Sequence, residues 1–279
     1  KLAEDSIVLL KNDEDILPIK NKKVAVIGDM TKRPRYQGAG SSTINPYRLT
    51  NLLDCLKEQG IECSYAQGYE RVESENDVTL REEAIKVAKN SELVILCVGL
   101  TENFESEGMD RFTLDIPANQ NKLIEEICKV NKKVVIVLSN GSPILMPWKD
   151  NVQAIITGYL GGEAGAEAMV NCLTGKVNPS GKLAETYPLS LEDTPCYNYY
   201  PGTEVSVEYK ESIYVGYRYY DKISKNVLFP FGYGLSYTTF EYSNLNVEED
   251  EEDIIVRLKI KNTGKVAGKE IAQVYIGQE

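Results

Sequence analysis

A doubly wound, mostly parallel α/β sheet sandwiched by helices, followed by an incomplete all-β sandwich, is the fold class the sequence predicts. Two observations carry it. Short apolar runs, such as residues 23–29 (KVAVIGD), 93–100 (LVILCVGL) and 133–138 (KVVIVL), alternate with amphipathic helical segments at the spacing of βαβ units. After Phe240 this rhythm gives way to strands with apolar and polar residues in alternation, separated by a turn at Asn262-Thr263-Gly264.

Taken in order, residues 2–12 (LAEDSIVLLKN) show helical spacing and predict a helix that Asp15-Ile16-Leu17-Pro18 ends. Residues 23–29 predict the first buried strand. A short amphipathic helix at 51–59, a second strand at 61–66 and a helix at 80–89 lead to the strand at 93–100. The next helix is expected from about Pro117 to Val130, with Leu123, Ile124 and Ile127 on one stripe. Strands at 133–138 and 152–157 (VQAIIT) and a helix at 161–173 complete the alternation. From Asn178-Pro179-Ser180-Gly181 the texture changes. Residues 183–187 predict a further strand at a sheet edge, and Pro, Gly and Tyr then dominate up to Phe240. That segment is too long and too aromatic for a flexible linker and is expected to wrap over a neighbouring surface, its rings packing. The acidic run 248–253 predicts a solvated turn, with strands at 254–261 (IIVRLKIK) and 271–276 after it. The expected divisions are 1–195, 196–240 and 241–279.

Composition narrows the function. The chain has 279 residues and 42% apolar content, room for one large domain and a smaller one. A net charge of -11 argues against nucleic acid and anionic membrane as partners and suits a protein handling neutral ligands. No apolar run approaches the roughly 20 residues that span a bilayer, and no charged-then-apolar leader is present. The six cysteines are far apart and without CxxC spacing, so they read as unpaired thiols in a reducing, cytoplasmic setting rather than as a metal site. The absence of histidine excludes a Ser-His-Asp triad, a Cys-His pair and an HExxH site built from this chain. Acid/base work falls to carboxylates, Lys, Tyr or Cys.

The candidate site is Glu105-Ser106-Glu107-Gly108-Met109-Asp110-Arg111, which follows the strand at 93–100 and so sits where ligands bind in open α/β sheets. Two carboxylates, a glycine and an Asp-Arg pair can form an acid/base loop. The same residues also read as a solvated acidic turn before a helix capped by Asp115. Residues 36–42 (YQGAGSS) form a second loop rich in small residues. Neither GxGxxG nor GxxxxGK[ST] is present, which favours close packing or a sugar-facing loop over a nucleotide site.

ESEGMDR with Leu114, Pro117 and Gln120 resembles the acid/base segment of glycoside hydrolase family 3, which includes many β-glucosidases. SIVLLKN at 6–12, LPI at 17–19, VAVIGD at 24–29, GAGSS at 38–42, GSPILMPW at 141–148, NPSGKL at 178–183, YVGYRYYD at 214–221 and FPFGYGLSYTTF at 229–240 match in the same order. KNTGKVAGKEIAQVYI at 261–276 is similar to the opening of that family's fibronectin type III-like domain. The resemblance implies an α/β sandwich domain (1–195), a Tyr/Gly-rich connector (196–240) and the start of the fibronectin type III-like domain (241–279). It further implies a (β/α)8-type barrel, in the same longer protein or another chain, that supplies an Asp nucleophile. Glu107, directly before the glycine, matches the acid/base, with Glu105, Asp110 and Arg111 as supporting residues. The implied reaction is retaining hydrolysis of a β-glucoside or cello-oligosaccharide by two carboxyl groups about 5 Å apart, without metal or organic cofactor. A homodimer is compatible with the resemblance. On this reading Glu107 needs a raised pKa, which Glu105 and an apolar barrel rim would supply. A non-catalytic sugar- or nucleotide-binding α/β module is the alternative.

Overall fold

A computed structural model of the chain describes residues 1–20, 23–251 and 253–277. The elements, in chain order, are α1 (Leu2–Ser6), β1 (Val8–Asn12), β2 (Lys23–Ile27), α2 (Leu52–Glu58), β3 (Glu62–Ala66), α3 (Asp77–Lys89), β4 (Val94–Gly99), α4 (Ala118–Val130), β5 (Val134–Ser139), β6 (Ala154–Thr157), α5 (Gly165–Leu173), α6 (Tyr217–Lys222), β7 (Phe240–Glu249) and β8 (Ile254–Asn262). The first six strands form one sheet in the order β1-β6-β5-β4-β2-β3, and β7 and β8 form a separate antiparallel pair. All pairings in the large sheet are parallel except that of β1 with β6.

The continuous apolar runs are explained by cover on both faces. Ala25, Ile27, Leu96, Val98, Ile136 and Leu138 enter one core with Ala84 and Ala88 of α3 and Leu123, Ile124 and Ile127 of α4. Their sequence neighbours Val24, Val26, Ile95, Cys97, Val135 and Val137 enter the other, with Leu52, Leu53 and Leu56 of α2 and Met169, Val170 and Leu173 of α5. A strand buried on both sides needs apolar residues at every position, so alternation is absent from β4 and β5.

Several expectations are corrected. The predicted helix over 2–12 is only the single turn of α1. Val8, Leu9 and Leu10 are buried in β1, the antiparallel edge of the sheet. An apolar run this short satisfies helix and strand spacing alike, and pairing with β6 decides it. Residues 183–187 do not join the sheet. They run extended against 228–233, with Tyr187 bridging Phe229, while Leu235 donates its N–H to Leu9 O and covers the free side of β1. Covering an edge strand in this way removes a site for unwanted pairing. Beyond Phe240, β7 takes in Glu248 and Glu249, so the acidic turn begins at Asp250, with Glu252 outside the described residues. The strand expected at 271–276 is not formed, and Ile271, Val274, Tyr275 and Ile276 are exposed. A strand exists only where another chain segment supplies ladder bonds, and none pairs with it among the described residues.

The strand order also sets where a ligand site can form. From β2 the chain crosses to β3 on one side and then returns to β4 on the other, so the loops leaving the carboxyl ends of β2 and β4 diverge. This is a topological switch point, and the crevice lies between those loops.

Candidate active site

Both sequence-predicted loops are brought to that crevice. The loop after β4 carries Glu105 and Glu107, and the loop after β2 carries Arg35 and residues 36–42. Beside the glycine loop opens a cleft of about 500 Å³, whose lining includes Arg33, Arg35, Gln37, Arg71 and Glu102.

Glu105 is turned inward. Its carboxylate accepts hydrogen bonds from Arg35 Nη1 at 2.7 Å, the Gly141 N–H at 2.9 Å and Ser142 Oγ at 2.6 Å. Arg35 is itself buried and also donates to the carbonyls of Leu100 and Glu105. Burial alone would raise the Glu105 pKa. The bonds from Ser142, Gly141 and Arg35, with the Arg35 charge, outweigh it and hold the carboxyl below its ordinary value.

Glu107 is exposed and faces the other loop. Its carboxylate accepts from the Ser41 N–H at 2.7 Å and from Ser41 Oγ, and its own N–H donates to Ala39 O at 3.2 Å. The backbone approach requires a glycine at position 40, where φ is +97° and a Cβ would stand 2.6 Å from Glu107 Cβ. The two Ser41 donors lower the Glu107 pKa. This corrects the expectation that Glu105 raises it. The negative charge of Glu105 acts instead on Glu185, whose pKa is pushed to about 7 by burial first and by Glu105 second, against the opposing charge of Arg111.

Asp110 and Arg111 do not form the pair expected from their adjacency. Asp110 accepts a 2.6 Å hydrogen bond from Tyr200 Oη in the Tyr-rich segment. Arg111 turns the other way and donates to Ser142 Oγ at 2.7 Å and to the carbonyls of Thr113 and Pro143. Burial lowers its pKa against the charges of Glu105, Asp115 and Glu185. Ser142 thus joins Glu105 to Arg111, and the loop is braced from 141–143 rather than by its own ion pair. Asp115 does not cap α4 either, because its carboxylate accepts from Thr113 Oγ1 and Pro117 is the N-cap. Gln120, buried in α4, accepts from the Gly99 N–H at 2.8 Å and fixes the end of β4.

Sequence reasoning missed Arg35, Ser142, Glu185 and Tyr200 as parts of this cluster. Ser142 lay within GSPILMPW at 141–148 and the other three carry no local signal, since each reaches the loop across the fold. Ser41 lay within a quoted motif, with nothing to show that its hydroxyl meets Glu107. All six cysteines are free, four of them buried. Among the described residues no group of His, Cys, Asp or Glu is placed to hold a metal ion, and no helix is long and apolar enough to cross a membrane.

Comparison with known proteins bears on this arrangement. The chain is 48% identical over 283 residues to thermostable beta-glucosidase B of Acetivibrio thermocellus, covering 98% of this chain and 37% of that protein. It is 44% identical over 286 residues to the exo-alpha-(1->6)-L-arabinopyranosidase of Bifidobacterium breve, with 98% and 38% covered. The crystal structure of the family 3 beta-glucosidase of Bifidobacterium adolescentis superposes with a TM-score of 0.91 at 44% identity, over 95% of this chain and 39% of that one. The chain therefore spans well under half the length of these relatives. Residues 7–237 match the glycosyl hydrolase family 3 C-terminal domain, a span that begins just after α1 and contains the whole six-stranded sheet and both loops of the crevice. The chain belongs to glycosyl hydrolase family 3 and contains its C-terminal domain.

Proposed function

We propose that this chain provides the general acid/base of a retaining β-glycosidase acting on terminal β-D-glucosyl residues, with Glu107 as that group. The Asp nucleophile comes from a barrel domain. The observation that carries this reading is the sorting of the loop's two carboxylates. Glu105 is locked onto Arg35 and Ser142, whereas Glu107 is exposed at the switch-point crevice with Ser41 as its hydrogen-bond partner. A proton donor must reach the leaving oxygen, and an inward, Arg-bound carboxylate cannot.

The lowered pKa of Glu107 fits the base half of the retaining cycle, in which a carboxylate activates water. The acid half needs a protonated carboxyl, so closure of an apolar surface over Glu107 has to raise its pKa by expelling water. Exposed Met109 and Phe112 on the same loop, at 59% and 85%, and exposed Tyr200, which bonds Asp110, supply the apolar side of such a contact. The β7–β8 pair, which begins after the matched span ends at 237, is read as the start of a fibronectin type III-like domain over 241–279, joined by the connector 196–240 to the α/β domain 1–195. The free thiols support a reducing, cytoplasmic setting. The chain is similar to both a beta-glucosidase and an exo-alpha-(1->6)-L-arabinopyranosidase, and on this reading the barrel supplies most of the contacts that choose the sugar ring.

The deciding experiment compares Glu107→Gln with Glu105→Gln in the complete enzyme that carries this chain. Glu107→Gln should lose at least about 100-fold on substrates with poor leaving groups. Activated aryl glycosides should be spared in the glycosylation step, and added azide should give a β-glycosyl azide. Normal activity in Glu107→Gln, with azide-rescued loss in Glu105→Gln, would reverse the assignment.

A further inference from the structure

The Glu107 carboxylate is received by one residue of the opposite loop through two donors, a backbone N–H at 2.7 Å and a hydroxyl. The loop that presents them is itself tied to Glu107 by the Glu107 N–H to Ala39 O bond, and its closest approach depends on Gly40. Glycine at 40 and serine at 41 therefore form a cradle matched to one carboxyl group. We propose that Ser41 is the positioning residue of the acid/base: it holds the Glu107 carboxyl toward the crevice and sets the pH above which the proton-donating half of the reaction fails. The inference rests on Glu107 being the acid/base.

The chemistry of the two donors differs. A backbone N–H can only donate, so it favours the carboxylate. A hydroxyl both donates and accepts, so Ser41 Oγ can donate to the carboxylate and accept from the carboxylic acid. Ser41 can thus keep hold of Glu107 through both protonation states while biasing it toward the ionised one.

The charged groups around the cradle are engaged elsewhere. On the Glu107 loop, Glu102 pairs with Arg71, Glu105 with Arg35, Asp110 with Tyr200, and Arg111 with Ser142 and two carbonyls. On the segment leading into the glycine loop, Lys32 lies over the Tyr65 ring, Arg33 pairs with Asp29 and Arg35 with Glu105. The facing loop at 140–143 presents no charged side chain. Hydrogen bonds from Ser41, rather than a neighbouring charge, therefore govern Glu107.

The test is the pH dependence of kcat/KM in the complete enzyme, on an aryl β-glucoside with a poor leaving group. Removing a donor to the carboxylate raises its pKa, and an acid of higher pKa stays protonated to higher pH. Ser41→Ala should therefore move the basic limb upward by about half a pH unit or more, and Ser41→Thr, which keeps a hydroxyl, should return it. A basic limb that stays in place or moves down in Ser41→Ala overturns the proposal. Gly40→Ala tests the cradle independently. Displacing Glu107 should cost on the order of 100-fold on the poor leaving group and far less on a dinitrophenyl glucoside, whose departure needs no proton. Equal losses on both substrates would also overturn it. Full activity in Glu107→Gln would instead sink the underlying assignment, an outcome separable from either of these.

Discussion

The two glutamates of the acidic loop lie two residues apart and live in different environments. Glu105 meets a buried guanidinium from one segment and a backbone N–H and a hydroxyl from another, which together fix where the loop leaves the sheet. Glu107, directly before Gly108, is exposed, and its carboxylate touches a single loop. A carboxylate saturated with donors is structural because its proton affinity and direction are already committed. A carboxylate with one partner residue and open access can exchange a proton with a ligand. The contrast teaches that a charge cluster in sequence is sorted into scaffold and reagent by its partners, not by its spacing.

The largest expected effect is on chemistry. Loss of the Glu107 carboxyl should cost about 100-fold or more, whereas this chain without the proposed barrel should show no detectable turnover on an aryl β-glucoside. A general acid alone contributes only roughly 100- to 10,000-fold. Robust turnover by purified residues 1–279, free of trace full-length enzyme, would break the division of labour.

The next effect is on stability. Arg35→Ala leaves the Glu105 carboxylate largely buried without its cation and should cost about 3 kcal/mol or more in urea unfolding, far more than any substitution at Glu107. The sign with pH follows. Glu105 has a folded pKa below its ordinary value, so its contribution is present above that value and is lost as pH falls through the folded pKa. Acid unfolding of Arg35→Ala should therefore show a shallower loss below about pH 4 than that of the parent. Equal costs at Glu105 and Glu107 would erase the contrast between them.

Glu185 should show the opposite sign. Its folded pKa of about 7 lies above its ordinary value, so the folded protein holds the proton more tightly and stability falls as pH rises between the two. Glu185→Gln should flatten that fall, so the variant gains on the parent at pH 8. No change in the stability–pH slope would show that burial beside Glu105 does not hold the Glu185 proton.

The smallest effect is expected at Tyr200. Its hydroxyl bond to Asp110 is exposed on both sides, and Tyr200→Phe should stay within about threefold of parent activity. A larger loss would mean that the Tyr-rich segment holds the acid/base loop and that Asp110 belongs with Glu105 on the scaffold side.

Much of the fold was legible because its causes are local. Continuous apolar runs such as VILCVG in β4 and VVIVLS in β5 can only be buried on both faces, and the amphipathic stripe of Leu123, Ile124 and Ile127 can only lie on such a sheet. The position of the acidic loop after β4, at a carboxyl end, followed from the same alternation. Other features depend on partners far away in sequence. β1 is a strand because β6 offers it a ladder, residues 183–187 stay out of the sheet because β1 already occupies its edge, and residues 271–276 form no strand because none pairs with them among the described residues. The site divides in the same way. The sequence by itself excluded histidine chemistry, which leaves carboxylates, Lys, Tyr or Cys for any acid/base work, and it put Glu105, Glu107, Asp110 and Arg111 in one loop. Only the tertiary structure decided that Glu105 meets Arg35, that Asp110 and Arg111 part to Tyr200 and Ser142, and that Ser41 receives Glu107. Hydrogen bonds and charge shifts act over a few ångströms in space, and residue order does not record which groups the crossover of β2 and β4 brings within that reach.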